Sequence, residues 1–461
     1  MPTRKSLTAL DRMFLAAETR ESMMHVGGLL PFSPPGDGGL AAVRRMRDEF
    51  RAGPKVEAPW NLRLRHPDLL TSPLQAWVAD EGIDLDYHVR RSALPAPGDE
   101  RELGILVSRL HGAPIDFHRP PWEAHLIEGL SGGRFALYLK VHHALVDGYT
   151  GMRLLTRALT FDPSEQDTPM FFSSPPVERA PRAHEATPPT FERLVHAVRE
   201  EIGAARDVGR ALLKIARDSR SSGPKIASPL HAPKSILNQR ISRARRFATQ
   251  QYPVDRLKAI GKARGGTLND VVLAACAAGL RRFLGEQNAL PKDPLTAMVP
   301  VNVRPKDDPG GGNAVGAILV SLATDIEDPL ERMRRIVAST TSAKEQLQGM
   351  SRNAILQYSA LLMAPLLLSS IPGSAGRLRP AFNLVVSNVP GPDKPLYFRG
   401  WRLDAAFPLS IPFNGYALNI TVESYAGVLG IGFIGCRDAV PHLQRLAVYT
   451  GEALQDLEVA G

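Results

Sequence analysis

The feature that most constrains the fold is an interruption near the middle of the chain. On either side of it, apolar residues recur at the spacings typical of helices and strands. Residues 162–188 and 221–234 are instead rich in Pro, Ser and Thr, with one helical pattern at residues 190–220 between them. Because 461 residues are enough for two or three domains with their own cores, the sequence predicts two folded halves joined by a long, partly helical linker.

Both halves combine helices with strands, so the predicted fold class is α/β (α+β) with a mixed sheet in each half. We place the first half at residues 1–165, the linker at 166–245 and the second half at 246–461. The helices predicted from apolar spacing are residues 7–18, 39–52, 100–112 and 267–284. The predicted strands are residues 24–32, 122–128, 134–143, 296–303, 315–323, 382–387, 418–424 and 428–434.

The linker carries most of the basic character of the chain. Between Arg206 and Arg246, eleven Lys or Arg face two Asp, an excess of nine that equals the net charge of the whole chain. Such a surface attracts nucleic acid, anionic lipid headgroups or a phosphorylated ligand, and a solvated helix face is an equal alternative. Apart from Phe247, no aromatic residue is interleaved with these cations, so we expect no nucleic-acid partner.

The sequence favours a cytoplasmic protein. Cys276 and Cys436 are far apart in apolar surroundings and form no CxxC pair, which fits a reducing compartment. Asp11 interrupts the apolar stretch that a signal peptide would need. The most apolar segment, residues 358–372, is uncharged but too short to cross a bilayer. We expect it to be a buried or interfacial helix, with core packing favoured over membrane contact.

The most informative motif is the string RFALYLKVHHALVDG at residues 134–148. Alternation along a strand places His143 on an apolar face and His142 on the opposite face. The chain then turns into a helix, so both histidines and Asp147 lie at a strand end, where active sites often occur.

A histidine at the edge of an apolar face stays neutral near pH 7 and accepts a proton from a hydroxyl. We therefore interpret His143 as a general base and Asp147 as a residue that holds the turn. A metal site is a weaker alternative, because the two histidines face apart and no further ligand cluster has a recognisable spacing.

Other chemistries lack their motifs. The sequence has no GxSxG nucleophile elbow, and neither cysteine has a catalytic setting, so direct transfer is the simpler mechanism. Gly430, Gly432 and Gly435 spell GxGxxG, but no βαβ unit follows them. A dinucleotide site is therefore not expected.

Ten segments in order resemble the bacterial wax ester synthase/diacylglycerol acyltransferase family, a branch of the CoA-dependent acyltransferases that include chloramphenicol acetyltransferase and peptide-synthetase condensation domains. These segments are LTALDRMFL, MHVGGL, PPWEAHLIEGL, VHHALVDGYTGMRL, SILNQRISRARRFA, TLNDVVLA, AMVPVNVR, FNLVVSNVPGP, ALNITVESY and GFIGCRDAVP. The resemblance covers almost the whole chain except the linker.

The resemblance implies site residues where positions match. His143, the second histidine of HHxxxDG, corresponds to the family's general base. The residues that would support the site are His142, Asp147, Gly148, Asn269 and Asp270. The Asn269 amide would face the reacting carbonyl across the domain interface, although a helix cap is an equal interpretation of its position.

Three further residues are candidates for substrate or oxyanion contacts. Ser387 and Asn388 end a strand, and a turn before the following Pro-Gly pair is an equal alternative for them. The family's Pro-Leu-Trp is Pro-Pro-Trp here, which argues against a chemical role for the middle residue. Its Trp122 is the third candidate, although core packing is the commoner role of such a residue.

The resemblance also implies two chloramphenicol-acetyltransferase-like halves with an active-site channel between them. The expected reaction moves a long-chain acyl group from acyl-CoA, a co-substrate, to a fatty alcohol or diacylglycerol, giving wax ester or triacylglycerol without metal or cofactor. The expected location is cytoplasmic, peripherally associated with the inner membrane or lipid droplets. A different hydroxyl acceptor and a non-catalytic lipid-droplet surface protein are the alternatives.

Overall fold

The computed structural model describes residues 4–36, 40–52, 55–174, 232–302, 315–348, 355, 358, 362 and 379–459. Most of the predicted linker and all but two residues of the apolar segment 358–372 lie outside these ranges. No helix within the ranges is both long and apolar enough to cross a membrane. The mixture of helices and mixed sheets confirms the predicted fold class.

The predicted elements recur with small shifts, and several additional ones are present. The helices are α1 (Ala9–Ala17), α2 (Leu40–Arg51), α3 (Leu85–His88), α4 (Glu100–His111), α5 (Gly148–Arg157), α6 (Val254–Ala263), α7 (Leu268–Glu286), α8 (Pro329–Gln348) and α9 (Leu443–Val459). The strands are β1 (Arg4–Ser6), β2 (His25–Ser33), β3 (Leu62–Leu64), β4 (Ala76–Ala79), β5 (Val89–Ala93), β6 (Trp122–Glu128), β7 (Phe135–His142), β8 (Arg245–Pro253), β9 (Thr296–Asn302), β10 (Val315–Ser321), β11 (Leu384–Pro390), β12 (Tyr397–Phe398), β13 (Trp401–Leu403), β14 (Phe407–Leu409), β15 (Leu418–Tyr425) and β16 (Val428–Cys436).

Two large sheets organise the described chain. The first has the order β12-β13-β2-β7-β6-β5, and β14 also pairs with β2. The second has the order β10-β9-β11-β15-β16-β8. A third, smaller sheet has the order β1-β4-β3. Both large sheets combine parallel and antiparallel pairs, since β5 runs parallel to β6 and β11 parallel to β15.

The two faces of the second sheet pack against different hydrophobic cores. Leu418, Ile420 and Val422 of β15 pack in a cluster with α6 to α9. Residues of the opposite face, including Met298 and Val385, belong to a cluster that contains much of the first half. The two halves therefore share one apolar interior.

The chain crosses between the halves more than once. Phe172, in the predicted linker, is fully buried and stacks on Trp122 of the first half. Leu237, near the other end of the linker, is buried in the core of the second half. Strands β12 to β14 come from the second half of the sequence but extend the first sheet. The two boundaries between the predicted halves and the linker stay predictions, because the sheets do not separate at one point in the chain.

Two glycines of the GxGxxG string, Gly430 and Gly432, allow β14 to pack closely on β16. A Cβ at Gly430 would overlap the backbone carbonyl of Ala406, and a Cβ at Gly432 would overlap that of Pro408. Both carbonyls lie in or next to β14, which passes over β16. These glycines thus serve close backbone approach, a common reason for glycine within a strand.

We expect Gly432→Ala to lower the free energy of unfolding by about 1–3 kcal/mol, because the added methyl forces β14 away from β16. Gly285→Ala is the matched control, since no atom lies within 4 Å of its Cβ position on α7. Alanine there is expected to be neutral or to stabilise by up to ~1 kcal/mol. Chemical denaturation of both variants measures the difference, and equal stabilities would contradict the role of Gly432.

Candidate active site

His143 follows directly after β7 and is held by contacts from the N-terminal segment. Its backbone N–H donates to the carbonyl of Met24 at 2.8 Å. Its ring stacks on Phe14 of α1, with 3.9 Å between ring centroids and 25° between planes. Nδ1 is buried without a hydrogen bond to another described residue, while the residue as a whole is half-buried. Nδ1 is thus closed to a substrate, and Nε2 is the ring nitrogen that a substrate would have to reach.

The surroundings of His143 keep its imidazole neutral. Burial lowers its pKa to about 4, because a charged ring would lose its hydration. The carboxylate of Asp147 opposes this shift, and the neighbouring His142 adds to it. A neutral imidazole has a free lone pair at neutral pH, as a general base requires.

His142 occupies different surroundings, as the strand alternation predicted. Its Nδ1 accepts the backbone N–H of Ala144 at 3.2 Å, and its Nε2 lies 3.5 Å from Oε2 of Glu18. Phe117 packs edge-on against the ring at 5.1 Å between centroids. No cluster of three His, Cys, Asp or Glu side chains suited to a metal ion occurs in the described ranges.

Asp147 and Gly148 form the start of α5. Asp147 is the N-cap residue, and its Oδ1 accepts the backbone N–H of Thr150 at 2.7 Å. Gly148 is the first helical residue, with open space where a Cβ would lie. The carboxylate therefore fixes the turn after the two histidines and also places a negative charge near His143.

The TLND segment starts α7 through a different residue from the one expected. Thr267 is the N-cap, and Asp270 completes a capping box by accepting the backbone N–H and the hydroxyl of Thr267 at 2.8 and 2.7 Å. The interpretation of Asn269 as the helix cap is therefore wrong. The exposed side chain of Asn269 instead accepts a hydrogen bond from Asn388 Nδ2 at 2.5 Å.

Ser387 and Asn388 lie inside β11, so the alternative in which they form a turn is wrong. Because β11 alternates, Ser387 shares a face with Val385, which packs in the interior common to both halves. Asn388 lies on the face toward α7. The structure thus brings Asn388 to Asn269 and directs Ser387 to the other side.

Trp122 has a core role in this structure. It is completely buried, and its Nε1 donates to the carbonyl of Trp60 at 2.7 Å. Trp60, Phe171 and Phe172 surround the ring. No surface of Trp122 is left for a substrate, which removes it from the candidate contacts.

An apolar pocket lies against the face of the first sheet that carries His143. Its walls consist of Leu30, Phe50, Val89, Ala124, Leu126, Phe135, Leu137, Leu155, Ala158, Leu159, Met170, Phe171, Phe172 and Phe398. Every lining residue is apolar, so the pocket suits a hydrocarbon chain and offers no partner to a polar group.

Sequence reasoning missed a buried polar row on β15. Asn419, Thr421 and Glu423 are all buried on the face opposite Val422, toward the shared interior. Both carboxyl oxygens of Glu423 lack a hydrogen-bond partner in the described ranges, and burial raises its pKa to about 8. Polar residues at every second position were the available signal, but this pattern more often indicates a solvent-facing strand.

The cysteines take no part in the site. Both are buried free thiols. Burial raises the pKa of Cys276 to about 12, so its reactive thiolate form is scarce at neutral pH.

Comparison with known proteins identifies the family. The model of the wax ester synthase/diacylglycerol acyltransferase catalytic domain matches residues 7–272, and that of the family's C-terminal domain matches residues 311–458. The chain belongs to the wax ester synthase/diacylglycerol acyltransferase family. The resemblance stated from the sequence is thereby confirmed, and this family member is an O-acyltransferase.

Individual relatives cover nearly the whole acyltransferase. A Mycobacterium tuberculosis protein named a putative diacylglycerol O-acyltransferase is 50% identical, with 99% of this chain and 98% of that protein aligned. The O-acyltransferase WSD of Acinetobacter baylyi is 39% identical over 98% of this chain and 97% of its own length.

Solved structures agree with this assignment. The wax ester synthase/diacylglycerol acyltransferase of Marinobacter aquaeolei matches with a TM-score of 0.77 and 36% identity, covering 100% of this chain and 99% of its own. A condensation domain of an antibiotic synthetase shares the fold, with a TM-score of 0.54 at 19% identity, over 99% of this chain and 95% of its own.

The stacking of Phe14 predicts a change in the pH profile of this acyltransferase. Removing the ring in Phe14→Ala hydrates His143 and is expected to raise its pKa toward the ordinary value of about 6.5. Since only the neutral ring accepts a proton, activity at about pH 5 should fall roughly tenfold more than activity at about pH 8. Phe14→Leu, which keeps apolar cover, is the control, and a uniform loss at all pH values would contradict the prediction.

Proposed function

We propose that this chain transfers a long-chain acyl group from acyl-CoA to the hydroxyl of a fatty alcohol or diacylglycerol, with His143 as the general base. The observation that carries the proposal is the position of the neutral, half-buried His143 on the same sheet face as the apolar pocket. The named activities of the relatives support both acceptors, since one is named for diacylglycerol and the Marinobacter enzyme also for wax ester.

The distance from the apolar pocket to His143 is comparable with the length of an acyl chain. Ala124 in the pocket wall pairs with Leu139, which lies four residues before His143, or ~14 Å along an extended strand. Half of a bilayer's hydrocarbon core, the length taken up by a lipid acyl chain, is ~15 Å. A palmitoyl group with its thioester at His143 would therefore reach the pocket.

The proposed mechanism is a direct transfer. Nε2 of His143 removes the proton of the acceptor hydroxyl while the hydroxyl oxygen attacks the thioester carbonyl. The tetrahedral intermediate collapses by breaking the carbon–sulfur bond, and the imidazolium returns its proton to the departing CoA thiolate. The thioester is already activated for this exchange, so the reaction needs no metal or cofactor.

The oxyanion of the intermediate needs hydrogen-bond donors, each contributing about 3–4 kcal/mol when aimed at the developing charge. Ser387 is the candidate donor on the face of β11 toward the shared interior. The Asn269–Asn388 pair lies on the other side of that strand and would act at the acceptor or CoA entrance.

We also propose that the protein works in the cytoplasm in peripheral contact with the inner membrane or lipid droplets, where its apolar substrates are found. The basic composition of residues 206–246 supports this, because cations attract anionic lipid surfaces. A non-catalytic lipid-surface protein would have the same composition, but it would have no use for a neutral histidine on the same sheet face as an apolar pocket.

Replacing His143 tests the chemical role. His143→Ala should lower the rate of CoA release from palmitoyl-CoA roughly 100- to 10,000-fold, with hexadecanol and dioleoylglycerol assayed in parallel. His118→Ala, at an exposed histidine, is the control for folding and handling. Substantial turnover by a folded His143→Ala variant would refute the general base, and a wild-type chain that releases no CoA with any alcohol would refute the enzyme.

The apolar pocket predicts chain-length preference. Ala124→Leu adds bulk inside the pocket, so preference for palmitoyl-CoA over octanoyl-CoA should fall roughly tenfold. Ala136→Leu makes the same change on the opposite face of the sheet, where the residue belongs to a different cluster. Similar shifts in preference for the two variants would show that the pocket does not hold the chain.

A further inference from the structure

Glu18 ends α1, and its carboxylate lies between the segments that hold His143. Its Oε2 accepts the backbone N–H of Met24 at 2.5 Å and lies 3.5 Å from Nε2 of His142. The side chain keeps only 12% exposure, so water screens these interactions weakly. One carboxylate oxygen thus contacts both the segment before β2 and the end of β7.

The contacts of His142 determine which ring nitrogen carries hydrogen. Because Nδ1 accepts the backbone N–H of Ala144, a neutral ring has its hydrogen on Nε2. That nitrogen lies 3.5 Å from Oε2 of Glu18 and makes no hydrogen bond in the described ranges, so the carboxylate acts on it electrostatically. A carboxylate in this position favours one tautomer and one orientation of the ring.

Both residues that Glu18 contacts are direct neighbours of His143. His142 precedes it in the chain, and the carbonyl of Met24 accepts its backbone N–H. A third contact comes from α1, whose Phe14 stacks on the imidazole. The carboxylate therefore lies where the backbone partner, the preceding ring and the stacking partner of His143 meet.

A residue from the second half of the chain also holds the segment between α1 and β2. Arg245 of β8 donates through Nη2 to the carbonyl of Glu21 at 2.6 Å. Burial lowers the pKa of Arg245 to about 10, and the charge of Glu18 opposes that shift. The charged and titratable groups around the carboxylate and the base in the described ranges thus include Arg245, His142 and Asp147.

We propose that Glu18 is a positioning residue for acyl transfer, whose carboxylate orients His142 and the backbone around His143 so that Nε2 faces the acceptor hydroxyl. This inference rests on the proposed function, because it takes His143 as the base. Glu18 touches none of the reacting atoms. Its loss lowers kcat rather than raising KM for acyl-CoA, because other residues line the apolar pocket.

The kinetic test compares Glu18→Ala, Glu18→Gln and the control Glu102→Ala, at a half-buried glutamate on the first turn of α4. We expect Glu18→Ala to lose roughly 100-fold in kcat, the effect of displacing a base by ~1 Å, with KM for palmitoyl-CoA unchanged. Glu18→Gln keeps an oxygen acceptor for Met24 and His142, so it should recover kcat to within a few-fold of wild type.

The spectroscopic test is independent of turnover. Nitrogen-15 shifts of labelled histidine, with His142 assigned by its loss in His142→Gln, report the tautomer directly. We expect hydrogen on Nε2 in the wild type. In Glu18→Ala the ring is no longer held in the orientation that keeps Nδ1 on the backbone N–H of Ala144, so we expect a mixture of tautomers.

Three results would overturn the positioning role. The first is an unchanged His142 tautomer in folded Glu18→Ala. The second is a kcat of Glu18→Ala equal to that of Glu102→Ala. The third applies where Glu18→Ala does not fold, and it is a folded Glu18→Gln with more than a roughly tenfold loss of kcat. Absence of CoA release by the wild type would count against the proposed function alone, since the tautomer measurement would still decide the role of Glu18.

Discussion

Strand β14 joins the two sheets, and the position of the site depends on that connection. It pairs with β2 in the first sheet and lies on Gly430 and Gly432 of the second. β2 pairs in turn with β7, which leads to His143. Because backbone hydrogen bonds on one side and close glycine packing on the other both require contact, the halves are held against one apolar interior.

Within this arrangement, one face of β7 carries charged side chains and the other carries a neutral histidine. On one face, the buried Lys140 lies 3.2 Å from Glu123, and its ammonium also donates to the carbonyls of Leu110 and Ala113. Burial alone would raise the pKa of Glu123, but a hydrogen bond from His125 and the charge of Lys140 hold it at about 2. His143, on the other face, stacks on Phe14, and its burial lowers the pKa of the imidazole and keeps it neutral. Alternation along one strand thus separates a charge-paired structural face from a face suited to proton transfer and acyl binding.

Local patterns predicted most of the individual elements. The capping box of Thr8 and Asp11 starts α1 as expected, and residues 122–128 form β6 with the predicted bounds. The strand, turn and helix around HHxxxDG were also predicted, since they depend on residues close in sequence. Asn269 was assigned wrongly because Thr267, two residues earlier, caps the same helix with a hydroxyl. Both residue types cap helices well, and sequence position alone does not choose between them.

The sequence by itself determined the family, the α/β character and the histidine pair, because these are expressed in short motifs and in the spacing of apolar residues. Only the tertiary structure decided that Glu18 contacts His142 across more than a hundred residues, that Glu423 is buried without a hydrogen-bond partner among the described residues and that β14 belongs to the first sheet. The physical reason is that strand pairing and core packing join residues distant in the chain, and no local periodicity records which distant segment supplies the partner.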